Sequence, residues 1–103
     1  PGTSSEIIEE TLSLANSNGG DIVTAIWSAA LSTDIRDVTG AVSCPVTVIT
    51  GDLDATCPRE QAEEMTALLG GRLRLLAGLG HLPMLEAPRV LVEALEEHLA
   101  GTV

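Results

Sequence analysis

Apolar positions divide this sequence into strand and helix segments. Two short apolar runs, residues 46–50 and 73–77, have the length and branched composition of buried strands. Between them, residues 60–69 carry apolar positions on one helical face, and Gly70 and Gly71 end that pattern. A strand, a helix and a second strand in this order predict a right-handed crossover between parallel, neighbouring strands.

Helical periodicity also precedes this unit. Thr3 and Glu6 have the spacing of a capping box, which predicts a helix over residues 6–16. Asp21 is placed to cap a second helix that ends near Leu31 and is apolar on almost every side. A helix of that kind needs packing partners on more than one side.

Linker and helix-start signals complete the element assignment. Residues 32–44 are typical of a linker with one short helical turn at 35–38. Pro58 and Pro88 are each placed to occupy the first position of a helix, where the missing N–H costs nothing. The last of these helices closes at Gly101.

The chain therefore divides into a helical segment with its linker, residues 1–44, and a β-α-β-α portion, residues 45–103. The predicted class is α/β, with two parallel strands, a crossover helix and a C-terminal helix. Two parallel strands are too few to be stable alone, because parallel sheets are normally extended and covered on both faces. We expect a second polypeptide segment, a homo-oligomer or strand exchange to complete the core.

The composition of the chain indicates which classes of binding partner and which cellular location to expect. Fifteen acidic residues against five arginines and no lysine give 103 residues a net charge of −10, which disfavours nucleic acid and anionic membranes as partners. No apolar run approaches the roughly 20 residues of a membrane span, and no signal peptide is recognisable in this sequence. Cys44 and Cys57 bracket the first strand too far apart to pair, which predicts free thiols and a cytoplasmic location. Their spacing matches no zinc site, so neither a metal nor a cofactor is expected.

Two reactive side chains follow the predicted strands at the same offset. Asp54 and His81 each lie four residues beyond the last residue of a strand. Neighbouring parallel strands are roughly 4.8 Å apart and their carboxyl ends share one sheet edge. The sequence thus predicts that a carboxylate and an imidazole meet, as in the orienting half of a nucleophile–His–acid triad.

The residues around this pair resemble the C-terminal part of an α/β-hydrolase-fold enzyme. Residues 46–58 are similar to the family's strand-G-x-x-D-x-x-x-P acid loop, and residues 79–88 to its G-H-x-P-x-x-E-x-P histidine loop. Residues 1–44 resemble, more loosely, the end of the family's helical cap. The nearest group is the esterases, lactonases and cofactor-free haloperoxidases, while epoxide hydrolases and carbon–carbon bond hydrolases share both loops and stay open.

The resemblance implies a role for each residue of the pair. Asp54 would be the triad acid and His81 the general base in hydrolysis of a small ester or lactone, with Trp27 and Met84 as possible substrate-lining residues. No G-x-S-x-G nucleophile elbow occurs in the sequence. The implied partner is an N-terminal hydrolase segment carrying that elbow, and this chain alone is predicted to be inactive.

Other interpretations stay open at this stage. Asp54 alone is also typical of a helix-capping aspartate, and Asp52 is a competing but worse-placed acid. The sequence favours Cys57 as a packing residue and His98 as a solvated residue at a helix end. The chain as a whole is also compatible with a non-catalytic module that binds a partner through an unpaired strand edge.

Overall fold

The computed structural model describes residues 2–101. Two helices and a 3-10 helix precede a unit of two strands and three helices. In chain order these are α1 (Ser5–Asn16), α2 (Gly20–Ser32), the 3-10 helix (Arg36–Ala41), β1 (Thr47–Gly51), α3 (Arg59–Leu69), β2 (Arg72–Leu76), α4 (Pro83–Glu86) and α5 (Pro88–Gly101). The mixture of helices and parallel strands confirms the α/β class.

The two strands are parallel and adjacent, as predicted. Their register pairs Thr47 with Arg72 at one end and Gly51 with Leu76 at the other. Helix α3 makes the crossover and packs on both strands, while α5 packs on β2. Both strands therefore end at the same edge, and the loops that follow them are neighbours.

A proline before α3 and a glycine after it explain where this helix begins and ends. Pro58 precedes the helix as its N-cap instead of occupying its first position, so the predicted start was wrong by one residue. Gly70 ends the helix in the left-handed conformation, with φ of 61°. A residue with a side chain adopts that conformation only at a cost, which is why glycine is favoured there.

The caps of the first two helices differ from the sequence prediction. Ser4, and not Thr3, caps α1, because its side-chain oxygen accepts a hydrogen bond from the N–H of Ile7. Gly19 caps α2 without a side-chain hydrogen bond, and the expected cap Asp21 lies within the first turn. The short turn expected at 35–38 is the longer 3-10 helix.

The core is small and lies between the sheet and its helices. Among the described residues, the buried apolar side chains are Ala62 of α3, Leu76 of β2, Pro83 of α4 and Ala94 of α5. Helices α1 and α2 contain no buried residue. Their apolar side chains are largely exposed, including Leu12, Ile26, Trp27 and Leu31. Within residues 2–101, no helix is long and apolar enough to cross a membrane.

One side-chain contact joins α5 to the beginning of β1. Thr47 Oγ1 and His98 Nδ1 are 2.7 Å apart in a partly buried hydrogen bond. His98 was predicted to be a solvated residue at a helix end; it does lie in the last turn of α5, but it is partly buried. The sequence pattern placed this histidine correctly at the end of a helix, but not the packing of that helix end against the sheet.

Thr47→Val is expected to lower the free energy of unfolding by about 1 kcal/mol, because it removes this bond while preserving the branched shape of the side chain. Thr24→Val is the control, since the Thr24 hydroxyl bonds only to its own exposed helix backbone. Urea denaturation followed by circular dichroism measures both variants. Equal stability of the two variants would contradict a contribution from the Thr47–His98 bond.

Candidate active site

The loop after β1 is folded around the carboxylate of Asp54. Asp54 Oδ1 accepts hydrogen bonds from the backbone N–H groups of Thr56, at 2.8 Å, and Cys57, at 2.9 Å. These two bonds make the short turn that aspartate side chains favour. They fix the orientation of the carboxylate and direct its second oxygen, Oδ2, away from its own loop.

The loop after β2 is held against the first loop by backbone contacts. The N–H of Leu53 donates to the carbonyl of Leu79 at 2.9 Å, and Asp52 Oδ1 accepts from the N–H of Gly78 at 2.7 Å. The second bond gives Asp52 a structural role, because its carboxylate holds the loop after β2 in place. His81 bonds to Asp54 and not to Asp52. This arrangement agrees with the preference for Asp54 over Asp52.

The histidine loop is also fixed from its far side. Glu86 Oε2, at the end of α4, accepts the N–H of Gly80 at 2.8 Å. The sequence analysis included Glu86 in the motif but gave it no role. The spacing that places a carboxylate six residues after Gly80 was the available signal. The short helix α4, which was not predicted, brings this carboxylate back to the loop.

Asp54 and His81 meet at the shared edge of the strands. Their Oδ2 and Nδ1 atoms are 2.9 Å apart. The Asp54 side chain is only 5% exposed, whereas the His81 side chain is 48% exposed. The pair thus has a buried carboxylate and an imidazole that solvent or a second group can reach.

The pKa of Asp54 is lowered in spite of its burial. Burial acts to raise the pKa, but hydrogen bonds from the N–H groups of Cys57 and Thr56 and from His81 outweigh it. Asp54 is therefore a carboxylate at neutral pH, and Nδ1 of His81 donates to it. This hydrogen bond leaves Nε2 as the ring nitrogen that can face a second group.

An open cavity of about 210 Å³ adjoins the pair. Asp54 and His81 lie at one part of its lining, together with the exposed thiol-bearing residue Cys57. Apolar atoms of Met65 and Pro83 form further parts of the wall. The predicted packing role of Cys57 was wrong: its N–H bonds to Asp54, and its side chain is exposed at the cavity.

The two predicted substrate-lining residues lie elsewhere. Trp27 is in α2 and is 58% exposed, and Met84 is in α4 and is 48% exposed. Neither belongs to the lining of the cavity beside Asp54 and His81. Their contact with a substrate stays a prediction.

Comparison with known proteins supports an esterase-like fold. No protein-family model matches this chain. Among solved structures, it is similar to a thermophilic esterase from Thermogutta terrifontis solved with malate bound. The identity is 33% and the TM-score 0.63, over 67% of this chain and 26% of the esterase chain. The chain thus spans about a quarter of the length of that esterase, and the likeness suggests a relationship to hydrolases.

Proposed function

We propose that this chain is the C-terminal segment of a serine α/β hydrolase that cleaves small esters or lactones. In this proposal Asp54 is the triad acid, His81 is the general base, and the serine nucleophile lies on a segment outside these 103 residues. The single observation that carries the proposal is the 2.9 Å contact between the buried Asp54 carboxylate and the half-exposed His81 imidazole. The esterase-like fold supports it.

The chemistry follows from the protonation state of the pair. Nε2 of His81 accepts the hydroxyl proton of the serine as the oxygen attacks the ester carbonyl. The Asp54 carboxylate stabilises the imidazolium that forms. His81 then returns the proton to the departing alkoxide, and a second cycle with water releases the acid and regenerates the serine.

The exposed apolar surface of the first two helices supports the need for another segment. Ile26, Trp27 and Leu31 of α2 are 64%, 58% and 81% exposed, which is unusual for large apolar side chains on a single helix. The missing hydrolase segment is the occupant that this proposal assigns to the surface. The same exposure also favours the second candidate, a non-catalytic module that binds a partner protein there.

The test joins this chain to the rest of a hydrolase. In the joined esterase, the matched 26% of the Thermogutta terrifontis esterase is replaced by this chain. The chain alone is expected to leave an activated ester such as p-nitrophenyl acetate unhydrolysed, whereas the joined esterase hydrolyses it. The isolated chain is also expected to resist labelling by a fluorophosphonate, because no residue in it has the setting of an activated serine.

His81→Ala should lower kcat of the joined esterase about 10⁴-fold, because it removes the general base. His98→Ala is the matched control, since His98 bonds to Thr47 at the opposite end of β1. Equal kcat values for the two variants would contradict the role of His81. A folded joined esterase that is inactive, combined with capture of a partner through α2, would favour the binding module.

A further inference from the structure

The proposed hydrolase function uses Asp54 and His81 but leaves Cys57 without a chemical role. The structure nevertheless brings the three side chains together. One carboxylate oxygen of Asp54, the Cys57 thiol sulfur and one ring nitrogen of His81 all lie within 4.8 Å of one another. All three residues line the same 210 Å³ cavity.

The positions of the three groups are fixed by the backbone. Asp54 Oδ1 accepts a hydrogen bond from the N–H of Cys57 at 2.9 Å, which keeps the cysteine beside the carboxylate. His81 is delivered from the other loop, and the Leu53 N–H bond to the Leu79 carbonyl ties the two loops together. The cluster thus exists in the folded chain and needs no rearrangement of either loop to assemble.

The set of donor atoms suits one class of ion. A nitrogen, a sulfur and an oxygen together favour a borderline-soft cation, of which Zn²⁺ is the one most often bound by such mixed ligands. A tetrahedral Zn²⁺ ion with bonds of about 2.0–2.3 Å places its ligand atoms roughly 3.3–3.7 Å apart. The widest separation within the observed group has to shorten by roughly 1.5 Å at most, and the Cys57 side chain is exposed.

We propose that Asp54, Cys57 and His81 form a Zn²⁺ site, with solvent completing the coordination. The Cys57 thiol releases its proton to bind as a thiolate. His81 binds as a neutral imidazole. Coordination through Nδ1 moves the ring proton to Nε2, and coordination through Nε2 occupies that atom directly.

In either mode His81 loses the nitrogen with which it would accept a proton from a serine. The Zn²⁺ ion therefore acts as a reversible inhibitor of the hydrolase site, and this consequence rests on the proposed function. Binding of the ion itself does not, because it needs only the three side chains of this chain. The two ideas can therefore fail separately.

The experiment titrates the purified chain with Co²⁺ and Zn²⁺. Co²⁺ bound to the site is expected to give a thiolate charge-transfer band in the near ultraviolet, which Zn²⁺ then abolishes with a stoichiometry of one per chain. A competing chromophoric chelator gives the Zn²⁺ affinity. Cys57→Ser should weaken Zn²⁺ binding at least tenfold, roughly the loss expected when a soft thiolate ligand becomes a hydroxyl.

Matched variants make the result specific. Cys44→Ser is the control for the thiol, because Cys44 is also exposed but lies outside the cluster. His81→Ala removes the proposed imidazole ligand, and His98→Ala is its control because His98 lies outside the cluster. Circular dichroism checks that each variant is folded. Unchanged affinity in folded Cys57→Ser, or no charge-transfer band at saturating Co²⁺, would overturn the site.

Activity then separates the two proposals. In an active joined esterase, Zn²⁺ should inhibit hydrolysis and a chelator should restore it. Cys57→Ser should raise at least tenfold the Zn²⁺ concentration that halves the variant's own metal-free rate. Binding without inhibition would overturn the regulatory role alone. An inactive joined esterase whose chain still binds Zn²⁺ through Cys57 would count against the hydrolase function and leave the metal site standing.

Discussion

Asp54→Asn is expected to lower kcat of the joined esterase about 10⁴-fold, the loss typical when a triad acid can no longer set the histidine tautomer. The structure gives the reason. The N–H groups of Thr56 and Cys57 both donate to Oδ1, so the amide oxygen of an asparagine stays in that position. Its NH₂ group then faces Nδ1 of His81 and donates to it.

A donated hydrogen bond at Nδ1 places the ring proton on Nε2, where a serine hydroxyl needs an acceptor. The imidazole is then present but in the wrong tautomer. Asp52→Asn is the matched control, because the amide oxygen that replaces Asp52 Oδ1 can still accept the N–H of Gly78. Initial-rate measurements should leave the control close to the parent value. An Asp54→Asn variant as active as Asp52→Asn would contradict the assignment of the acid.

Gly51→Ala is expected to destabilise the chain by about 3 kcal/mol, near the upper end of the cost of overpacking a tight site. A methyl group at position 51 would overlap the backbone carbonyl groups of Leu79 and Gly80. These groups have little room to move, since the Leu79 carbonyl accepts the N–H of Leu53. The strain therefore falls on the loop that carries His81.

Gly40→Ala is the control for this substitution. Gly40 has no neighbouring atom in the space that a methyl group would fill, and its φ is not positive. Urea denaturation monitored by circular dichroism should show a lowered midpoint for Gly51→Ala and little change for Gly40→Ala. Similar midpoints for both variants would mean that the close approach of the two loops contributes little to stability.

The sequence predicted the frame of the site because that frame depends on local patterns. Short, mainly apolar runs flanked by glycine or proline identify β1 and β2, and the crossover rule then makes them parallel. Once the strands are adjacent, Asp54 and His81 must follow them at one edge. The meeting of these two side chains was therefore predictable without any knowledge of long-range packing.

The wrong predictions concern contacts that helical periodicity and residue type do not determine. The bond between Thr47 and His98 depends on where the end of α5 lies on the sheet, which helical periodicity does not determine. Cys57 is exposed, and its backbone N–H donates to Asp54 in the turn that follows β1. A rule that treats free cysteine as a small apolar residue contains no information about such a turn.

The first two helices show a different kind of limit. Their periodicity predicted α1 and α2 with nearly correct bounds, but not what they pack against. Trp27 is 58% exposed and lies outside the lining of the cavity beside Asp54 and His81, so its contact with a substrate stays a prediction. Secondary structure is determined largely by neighbouring residues in the sequence, whereas the lining of a substrate pocket depends on residues that are far apart in the sequence.

The most direct test of the account is the tautomer of His81, measured by nitrogen NMR on the chain with ¹⁵N-labelled histidines. The account predicts a proton on Nδ1 and a basic Nε2, with the proton moving to Nε2 in Asp54→Asn and staying on Nδ1 in Asp52→Asn. An Nε2–H imidazole in the parent chain, unaffected by either substitution, would contradict the pairing on which the hydrolase proposal depends.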